Sequence, residues 1–583
     1  MAELWDLYTA EREALNKTGE RGTVLPKNQF HTIIHAWIRR KSDGKFLVSQ
    51  RVQNIFWGGY WQPTGGSAVH GETSLQAAIR ECREELGLNL ADTKSSFLFS
   101  YRYAPPAPQN PSFFLDAWLF TIENEAENAR IKMQKNEVAD FAWLTFDQII
   151  ELWQNGKFMP YEQTWPPYFN VLKICIAAPQ SVKGLKYWAC SLLQYFDYQQ
   201  KYEQPDSGWR EYFADDRNKN PNAQLDAALL LAHSLNCTKG ELLLKAEETV
   251  ELPLIEKLEK LLYQRLNGKA VAYLTEEKDF YFYNFYVNPA VLIPKPDTEL
   301  LVEKAFDQII EFWAENRTNL TVLDLCCGSG CIGLSVYKRL KEFLCYCRFQ
   351  LGKAGKNVTA AYHTAAASSS AQRESEELLP PDPDDDFFFM PAYKKLFAAQ
   401  TAQSVLPAQK EANKTEENSP QIQLPALPKM YFSDISPEAL KVAEINARRL
   451  LAGDFANFTF VQGDLLEPFL QSRQNGTSFS FDLLLTNPPY VPTGLTNSLL
   501  ADGRGEPRLA LDGGSEGLDL IERIISQVWT VLALNGIIFA ETGEYNATQT
   551  AELLIGKGFA EVEIFKDMTE QLRLVKAKKI GRS

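Results

Sequence analysis

The stretch Phe481-Asp482-Leu483-Leu484-Leu485-Thr486-Asn487-Pro488-Pro489-Tyr490 decides how the second half of this chain is read. Its first half is a short apolar run of the kind that forms buried parallel strands. Two prolines then end the strand and fix φ twice, and Asn487, standing before a proline, is driven toward an extended conformation. The product is a stiff corner with a primary amide, outward carbonyls and an aromatic ring. It sits at a strand's carboxyl end, the edge where open α/β sheets bind ligands. A planar nitrogen can give its two N–H groups to the Asn487 side-chain oxygen and the Pro488 carbonyl, with Pro489 stiffening the corner and Tyr490 on its face. That nitrogen is then held for in-line attack on a methyl group. A plain strand ending in a proline turn has the same letters, so the upstream sequence must decide between them.

Upstream, residues 321–325 read as another buried strand bearing Asp324. Cys326-Cys327-Gly328-Ser329-Gly330 follows, and a helix begins near Ile332. A glycine-bearing turn between strand and helix lets backbone N–H groups approach a ligand closely. Residues 430–432 form a second strand leading to Asp434, whose carboxylate at a strand tip suits two ribose hydroxyls. Residues 458–462 form a third, followed by Gly463 and Asp464, placed to accept from an adenine amino group. Cys326, Cys327, Cys331, Cys345 and Cys347 fit no tetrahedral zinc spacing and read as buried or loop thiols.

The first part of the chain has its own signature. Residues 30–38 and 45–50 read as strands about an Asp43-Gly44 turn. A glycine-rich loop (residues 58–66) precedes a helix over 73–86. Thr73 and Gln76 make its capping box, and Gly87 stands at its stop. Leu75, Ala78, Ile79, Cys82 and Leu86 form its apolar stripe, while Glu81, Glu84 and Glu85 share another face. Clustered carboxylates are ordinary on a solvated face, and they are also good oxygen ligands for Mg²⁺.

Composition bounds the rest. The 583 residues are too many for one domain. There are 74 Asp+Glu against 60 Lys+Arg, a net charge of −14, which argues against broad nucleic-acid binding. Uninterrupted apolar runs of about 18 residues are absent, so no membrane span is expected. Met1-Ala2-Glu3-Leu4-Trp5-Asp6 lacks the character of a signal peptide. Nine cysteines in so long a chain make no disulfide framework, and a cytoplasmic location is expected. Helical patterns lie at 185–198, 223–235, 238–244 and 252–266, while 177–179 and 202–221 read as linker or loop. An Ala/Ser run, an acidic run and scattered prolines between 341 and 428 read as a disordered insertion. Within it, residues 387–393 are either a docking segment or a stray apolar patch.

Two resemblances organise these readings. Gly66, Glu72, Arg80, Glu81, Glu84, Glu85, Gly87 and Leu88 match the fixed positions of the Nudix box, so residues 1–172 resemble the Nudix hydrolases. The resemblance implies an α/β/α sandwich cleaving a nucleoside diphosphate linked to another group. Glu81, Glu84 and Glu85 would hold Mg²⁺, Glu84 and Glu85 acting in catalysis, and Glu72 and Arg80 would brace loop and helix. The isomerase branch with similar flanks needs a cysteine before the box, and none precedes Cys82. The box does not specify the substrate, and a nucleotide-binding module without turnover stays open.

The second resemblance runs over residues 182–340 and 429–578. Asp324 to Gly330, Asp434, Asp464 and the Asn487 corner look like a class I S-adenosylmethionine-dependent methyltransferase. Residues 292–299 and 506–518 make it similar to the HemK/PrmC family, which methylates the glutamine of the Gly-Gly-Gln loop of peptide chain release factors. The resemblance implies a Rossmann-like catalytic domain holding the cofactor through Asp324, Cys326, Gly328, Gly330, Asp434, Asp464 and Asn487. Asn487, Pro488, Pro489 and Tyr490 would hold the acceptor, with Asn487, Pro488 and Tyr490 catalytic. Cys326 replaces a family glycine, and Lys295 a family arginine. Methylation of a ribosomal-protein glutamine and N6-adenine methylation of nucleic acid stay as alternatives.

The expected organisation is a multidomain α/β chain. A Nudix domain (1–172) and a linker (173–181) lead to a small helical bundle docking the substrate (182–275). The methyltransferase (276–340 and 429–583) is split by the insertion (341–428).

Overall fold

The computed structural model describes residues 3–55, 57–104, 111–123, 131–165, 167–201, 221–353, 358–360, 389–397, 422–474, 479–501 and 505–581. The chain divides into two compact units, Met1–Thr275 and Glu276–Ser583.

The first unit is built on β3 (Phe30–Arg40), which is buried along almost its whole length, as a strand covered on both faces must be. In chain order its sheet comprises β1 (Leu4–Tyr8), β2 (Ala14–Glu20), β3, β4 (Phe46–Arg51), β5 (Trp61–Gln62), β6 (Thr64–Ser67), β7 (Lys94–Tyr103), β8 (Ser112–Ile122) and β9 (Val138–Leu144). The path runs β2-β1-β3-β4-β5, with β6 and β8 also on β3, β7 on β8 and β9 on β4. β3 and β8 run parallel from Phe30↔Ser112 to Arg40↔Ile122. The helix Ser74–Leu86 starts at the Thr73–Gln76 capping box and stops at Gly87, φ +70°, as the spacing predicts. Ala78, Cys82 and Leu86 are buried, so Cys82 packs as an aliphatic residue would.

Helices Val182–Lys201, Pro221–Ser234, Lys239–Leu244, Leu252–Leu266 and Val271–Thr275 form the expected bundle. It belongs to the first unit rather than standing alone. Trp188, Leu258 and Tyr263 share one apolar core with Phe97 and Phe114 of the sheet. The Trp188 indole N–H donates to the Ser100 carbonyl at 2.7 Å, and the Ser100 and Tyr263 hydroxyls share a hydrogen bond of 2.9 Å. Of residues 173–181, expected as a linker, 173–177 lie in the helix Tyr168–Ala177, which buries Cys175 and Ile176, and Ser181 bridges to Thr249. The apolar spacing of that helix outweighs the turn-formers that follow it.

Three buried charges cross this junction. Arg12, at φ +64° between β1 and β2, gives an N–H to Asp116 of β8 at 2.5 Å and pairs with Glu259 of the bundle. Burial pushes the Glu259 carboxyl up, with Arg12 opposing it.

The second unit opens with the hairpin β10 (Glu277–Phe280) and β11 (Tyr283–Tyr286). Its main sheet uses β12 (Thr321–Leu325), β15 (Lys429–Asp434), β16 (Phe458–Gln462), β17 (Phe481–Thr486), β18 (Leu532–Glu541), β19 (Ala560–Lys566) and β20 (Leu572–Lys578); β13 (Val358–Ala360) and β14 (Ile422–Leu424) pair separately. The order is β16-β15-β12-β17-β18-β20-β19. The first five are parallel and the last two join antiparallel. Chain order reverses between β12 and β17, the switch point where doubly wound sheets open a crevice. The architecture is the α/β, Rossmann-like one expected.

Parts of the expected insertion are ordered. The helix Cys331–Lys353 runs into it, and residues 389–397 are helical. Phe389 is buried against Phe306, Phe343 and Tyr346, with the Arg339 guanidinium 4.1 Å over its ring. The aromatic segment therefore docks on its own chain. The strands β13 and β14 also fall within it, and the rest of 341–428 expected as disordered, apart from 425–428, lies outside the described residues. Among the described residues no helix is long and apolar enough to cross a membrane.

Replacing Arg12 by Met leaves Asp116 and Glu259 buried without their cation. Breaking such a pair costs about 3–5 kcal/mol. The first transition in urea unfolding should fall by that much, followed by the fluorescence of Trp188.

Two candidate active sites

In the second unit the loop 326–330 is shaped by carboxylates. Asp324 lies in the buried run of β12 with no exposure, and its Oδ2 accepts from the Gly333 N–H at 2.9 Å. A Cβ on Gly333 would meet Phe432 at 2.6 Å, so the helix start can come this close only with glycine there. Burial lifts the Asp324 carboxyl to about 7, with the Gly333 N–H opposing. Asp434 accepts from Gly328 N–H and Ser436 N–H, both at 2.9 Å. Burial raises it as well, against those N–H groups. Cys326 stands at φ +59°, the left-handed conformation for which a glycine is the easier residue. Burial holds its thiol protonated.

A cavity of about 450 Å³ opens at the switch point. Of the residues expected to hold a cofactor, Cys326, Gly328, Asp434, Asp464 and Asn487 line it. Asp324 and Gly330 lie behind the lining and shape the loop instead. Asp464 is paired with Arg523 at 2.7 Å, so an incoming amino group would share it with a guanidinium. Lys295 lines the cavity and pairs with the buried Glu506 at 2.6 Å.

The Asn487 corner follows β17 as its sequence requires. Asn487 and Pro489 line the cavity; Pro488 and Tyr490 are set back from it. The Asn487 Nδ2 donates to the Thr298 hydroxyl at 3.2 Å. Thr298 holds the N-cap position of the helix Glu299–Ala314 and makes no cap bond. The Tyr490 hydroxyl donates to Glu541 at 3.3 Å, and its backbone carbonyl accepts from Tyr545 and Asn546.

In the first unit, Arg80 joins the parts of the box. It donates to Glu72 at 2.8 and 3.0 Å and to the Ser67 carbonyl at 2.8 Å. It also donates to Glu81 at 2.8 Å and Glu84 at 3.0 Å. Gly66 is needed for closeness: a Cβ there would lie 2.1 Å from a Glu81 oxygen. Burial lifts Glu81 to about 7 against the pull of Arg80. Burial lifts Glu85 to about 8, with Glu81 and Glu137 adding repulsion.

Among the described residues no three His, Cys, Asp or Glu side chains stand as a ready metal-binding group, and Arg80 pairs with Glu81 and Glu84. The Glu85 Oε2 is buried without a hydrogen-bond partner. That is a strong acceptor facing like charges, and it fits a cation.

Sequence reasoning missed Glu137, Thr298 as a partner of Asn487, and Glu541. Glu137 sits far from the box and enters through a loop. Glu541 carried one signal, a carboxylate closing an apolar strand at the sheet's carboxyl edge.

Sheet order, cavity and corner define a Rossmann-like methyltransferase unit, joined to a unit carrying a Nudix box. The comparisons agree. The NUDIX domain model matches residues 29–162 and the PrmC N-terminal domain model residues 209–275. An uncharacterized Nudix hydrolase of Listeria innocua is 34% identical over 161 residues, covering 27% of this chain and 89% of the relative. A release factor glutamine methyltransferase of Clostridium acetobutylicum is 26% identical over 357 residues, covering 61% of this chain and 91% of the relative. The crystal structure of DR0079 from Deinococcus radiodurans covers 27% of this chain and 91% of its own at 20% identity, TM-score 0.22. Through its first unit the chain belongs to the Nudix hydrolase family. As a whole it is an enzyme that resembles a fusion of a Nudix hydrolase with a HemK/PrmC-type methyltransferase.

Cys326→Gly should relieve the left-handed strain, typically about 1 kcal/mol for a non-glycine residue. The expected outcome is a higher melting temperature for the second unit with retained cofactor binding, read by calorimetry.

Proposed function

We propose that the second unit transfers a methyl group from S-adenosylmethionine to the side-chain nitrogen of the glutamine in the Gly-Gly-Gln loop of peptide chain release factors. The observation that carries this is the Asn487 amide on the wall of the switch-point cavity, with its N–H end committed to Thr298. Its oxygen end is left to accept from a planar amide nitrogen, and the Pro488 carbonyl, set back beside it, would be the second acceptor. S-adenosylmethionine, when bound, supplies a methyl group on a positively charged sulfur. Asp434 would take the ribose hydroxyls, Asp464 the adenine amino group, and the loop from Cys326 to Gly330 the amino-acid end. An amide nitrogen is a poor nucleophile, so the work of the residues is orientation. Asn487 and Pro488 hold both N–H groups in one plane, and Tyr490 braces the corner from behind. The relatives named release factor glutamine methyltransferases support the choice of acceptor.

The first unit, in the same reading, is an Mg²⁺-dependent hydrolase of a small substrate of nucleoside-diphosphate type. Glu81, Glu84 and Glu85 would hold the metal once Arg80 turns aside, and Glu137 adds negative charge. Mg²⁺ would neutralise the diphosphate and activate water. The nine cysteines are all free thiols, which suits a cytoplasmic enzyme.

The test has two arms. Labelled methyl transfer is measured on a release factor, on its Gln→Ala loop variant, on ribosomal proteins and on duplex DNA. Label only on the wild-type factor is the expected result; label on DNA or on ribosomal proteins alone sinks the acceptor. Asn487→Ala should lower that rate about 100-fold, the cost of a misplaced reactant, and leave nucleotide hydrolysis unchanged. Glu84→Gln should abolish Mg²⁺-dependent pyrophosphate release and spare methylation. A wild-type protein that binds nucleotides without releasing phosphate would make the first unit a binding module.

A further inference from the structure

Asn546 stands where a helix cap is expected and spends its side chain elsewhere. It holds the N-cap position of the helix Ala547–Lys557 and makes no side-chain cap bond. A capping asparagine accepts from the first helical N–H groups. Here the Asn546 Oδ1 is buried without a hydrogen-bond partner among the described residues, and the residue is 1% exposed. Its Nδ2 donates instead to the Tyr490 carbonyl at 3.3 Å and the Gly517 carbonyl at 3.1 Å. The Tyr545 hydroxyl gives the Tyr490 carbonyl a second donor at 3.2 Å. Carbonyls only accept, so the donating end of the amide is the one that faces them. The main chain of Asn546 is held as well. Its N–H donates to the Gly543 carbonyl at 3.1 Å, and its carbonyl accepts from the Thr550 N–H at 3.0 Å and the Thr550 hydroxyl at 2.9 Å.

We propose that Asn546, helped by the Tyr545 hydroxyl, is a positioning residue for methyl transfer: by holding the Tyr490 carbonyl it fixes the plane in which the Asn487 amide and the Pro488 carbonyl receive the acceptor nitrogen. The inference rests on the methyl-transfer reading given above. The two proline rings fix φ at Pro488 and Pro489 but leave ψ free, so the corner is only as stiff as its two ends. Its first end is β17, where Thr486 pairs with Leu325 and Ala540. Its second end is held by residues 511–517. The Val491 N–H donates to the Leu511 carbonyl at 2.9 Å, and the Gly513 N–H to the Val491 carbonyl at 2.8 Å.

That loop packs so close that a Cβ on Gly517 would lie 2.1 Å from the Tyr490 oxygen. Asn546 bonds the corner and the loop at once, so neither can shift against the other without breaking one of its bonds. A corner released at Tyr490 turns about the free ψ angles, and that rotation carries both acceptors of the nitrogen away from in-line geometry. Neither Asn546 nor Tyr545 lines the cavity, so their work is on the corner and not on the cofactor.

The experiment measures kcat and KM for methyl transfer to the release factor in wild type, Asn546→Ser, Asn546→Ala and Tyr545→Phe. S-adenosylmethionine affinity by calorimetry and a melting curve accompany each. Serine caps a helix as well as asparagine does, but its single proton cannot serve two carbonyls. Tyr545 is half-exposed, so Tyr545→Phe removes one hydroxyl and leaves the packing. Both Asn546 variants should lose kcat about 100-fold with unchanged KM and cofactor affinity. Tyr545→Phe should lose about threefold to tenfold, the worth of one hydrogen bond, at the wild-type melting temperature. If the Asn546 variants melt below the assay temperature, Tyr545→Phe decides alone. A wild-type kcat in Asn546→Ser would make the residue a helix cap and overturn the inference. So would a parallel loss of cofactor affinity, or a wild-type kcat in Tyr545→Phe. A wild-type protein that methylates no acceptor would overturn the methyl-transfer reading, and this inference with it.

Discussion

The carboxyl of Asp324 is fully buried, and the second unit is arranged around that fact. A buried acceptor must find a donor or cost about 1–3 kcal/mol. The donor it finds is the Gly333 N–H. That bond pulls the start of the helix Cys331–Lys353 onto the tip of β12. Asp434 does the same from the neighbouring strand by taking Gly328 N–H. Between them the two carboxylates fold residues 326–330 into a cradle, and the cavity exists because strand order reverses there. The elements that look like cofactor ligands in sequence thus have unequal work. Asp434 both shapes the loop and faces the cavity, while Asp324 only shapes it.

An arginine stands in front of carboxylates at each site. Arg80 spans Glu72, Glu81 and Glu84, and Arg523 covers Asp464 and Glu467. Like charges held close need a counter-charge. A guanidinium supplies that counter-charge at each. These groups are partly exposed, so the pairs themselves add little stability. Their consequence is for ligands, since whatever arrives must compete with a neighbouring cation and not with bare water.

Much of this was legible in the sequence, and the missing parts share a cause. The strands 321–325 and 458–462, the capping box at Thr73 and the stop at Gly87 were read from local chemistry, and the structure holds them. The Cys326 anomaly was visible too, and φ +59° gives it a physical meaning. Glu541, Thr298 and Glu137 were not found as site residues because nothing local marks them. Thr298 meets Asn487 across 189 residues, and Glu541 meets Tyr490 through sheet order. Likewise the bundle's periodicity says that one face is buried but not against what. Residues 173–181 read as a linker because Pro179 and its neighbours favour turns, while the pairing of Ser181 with Thr249 is a long-range fact.

The Arg12 triad bears on why the bundle and the Nudix sheet are one body. Apolar side chains in place of buried ion pairs are often as stable or more so, so stability alone does not explain three charges in a core. Geometry does. Asp116 lies on the sheet, Glu259 on a bundle helix and Arg12 on a hairpin, and a displaced arrangement strands at least one charge without its partner. An oil-like interface would tolerate sliding; this one has a single satisfied position. The bundle that the PrmC N-terminal model matches is therefore indexed to β8. β8 runs in register with β3, which in turn pairs with β6 beside the box. From Gly66 the path runs through the paired strands β6, β3 and β8 to Asp116, and from there through Arg12 to Glu259, so the bundle's place is fixed relative to the box.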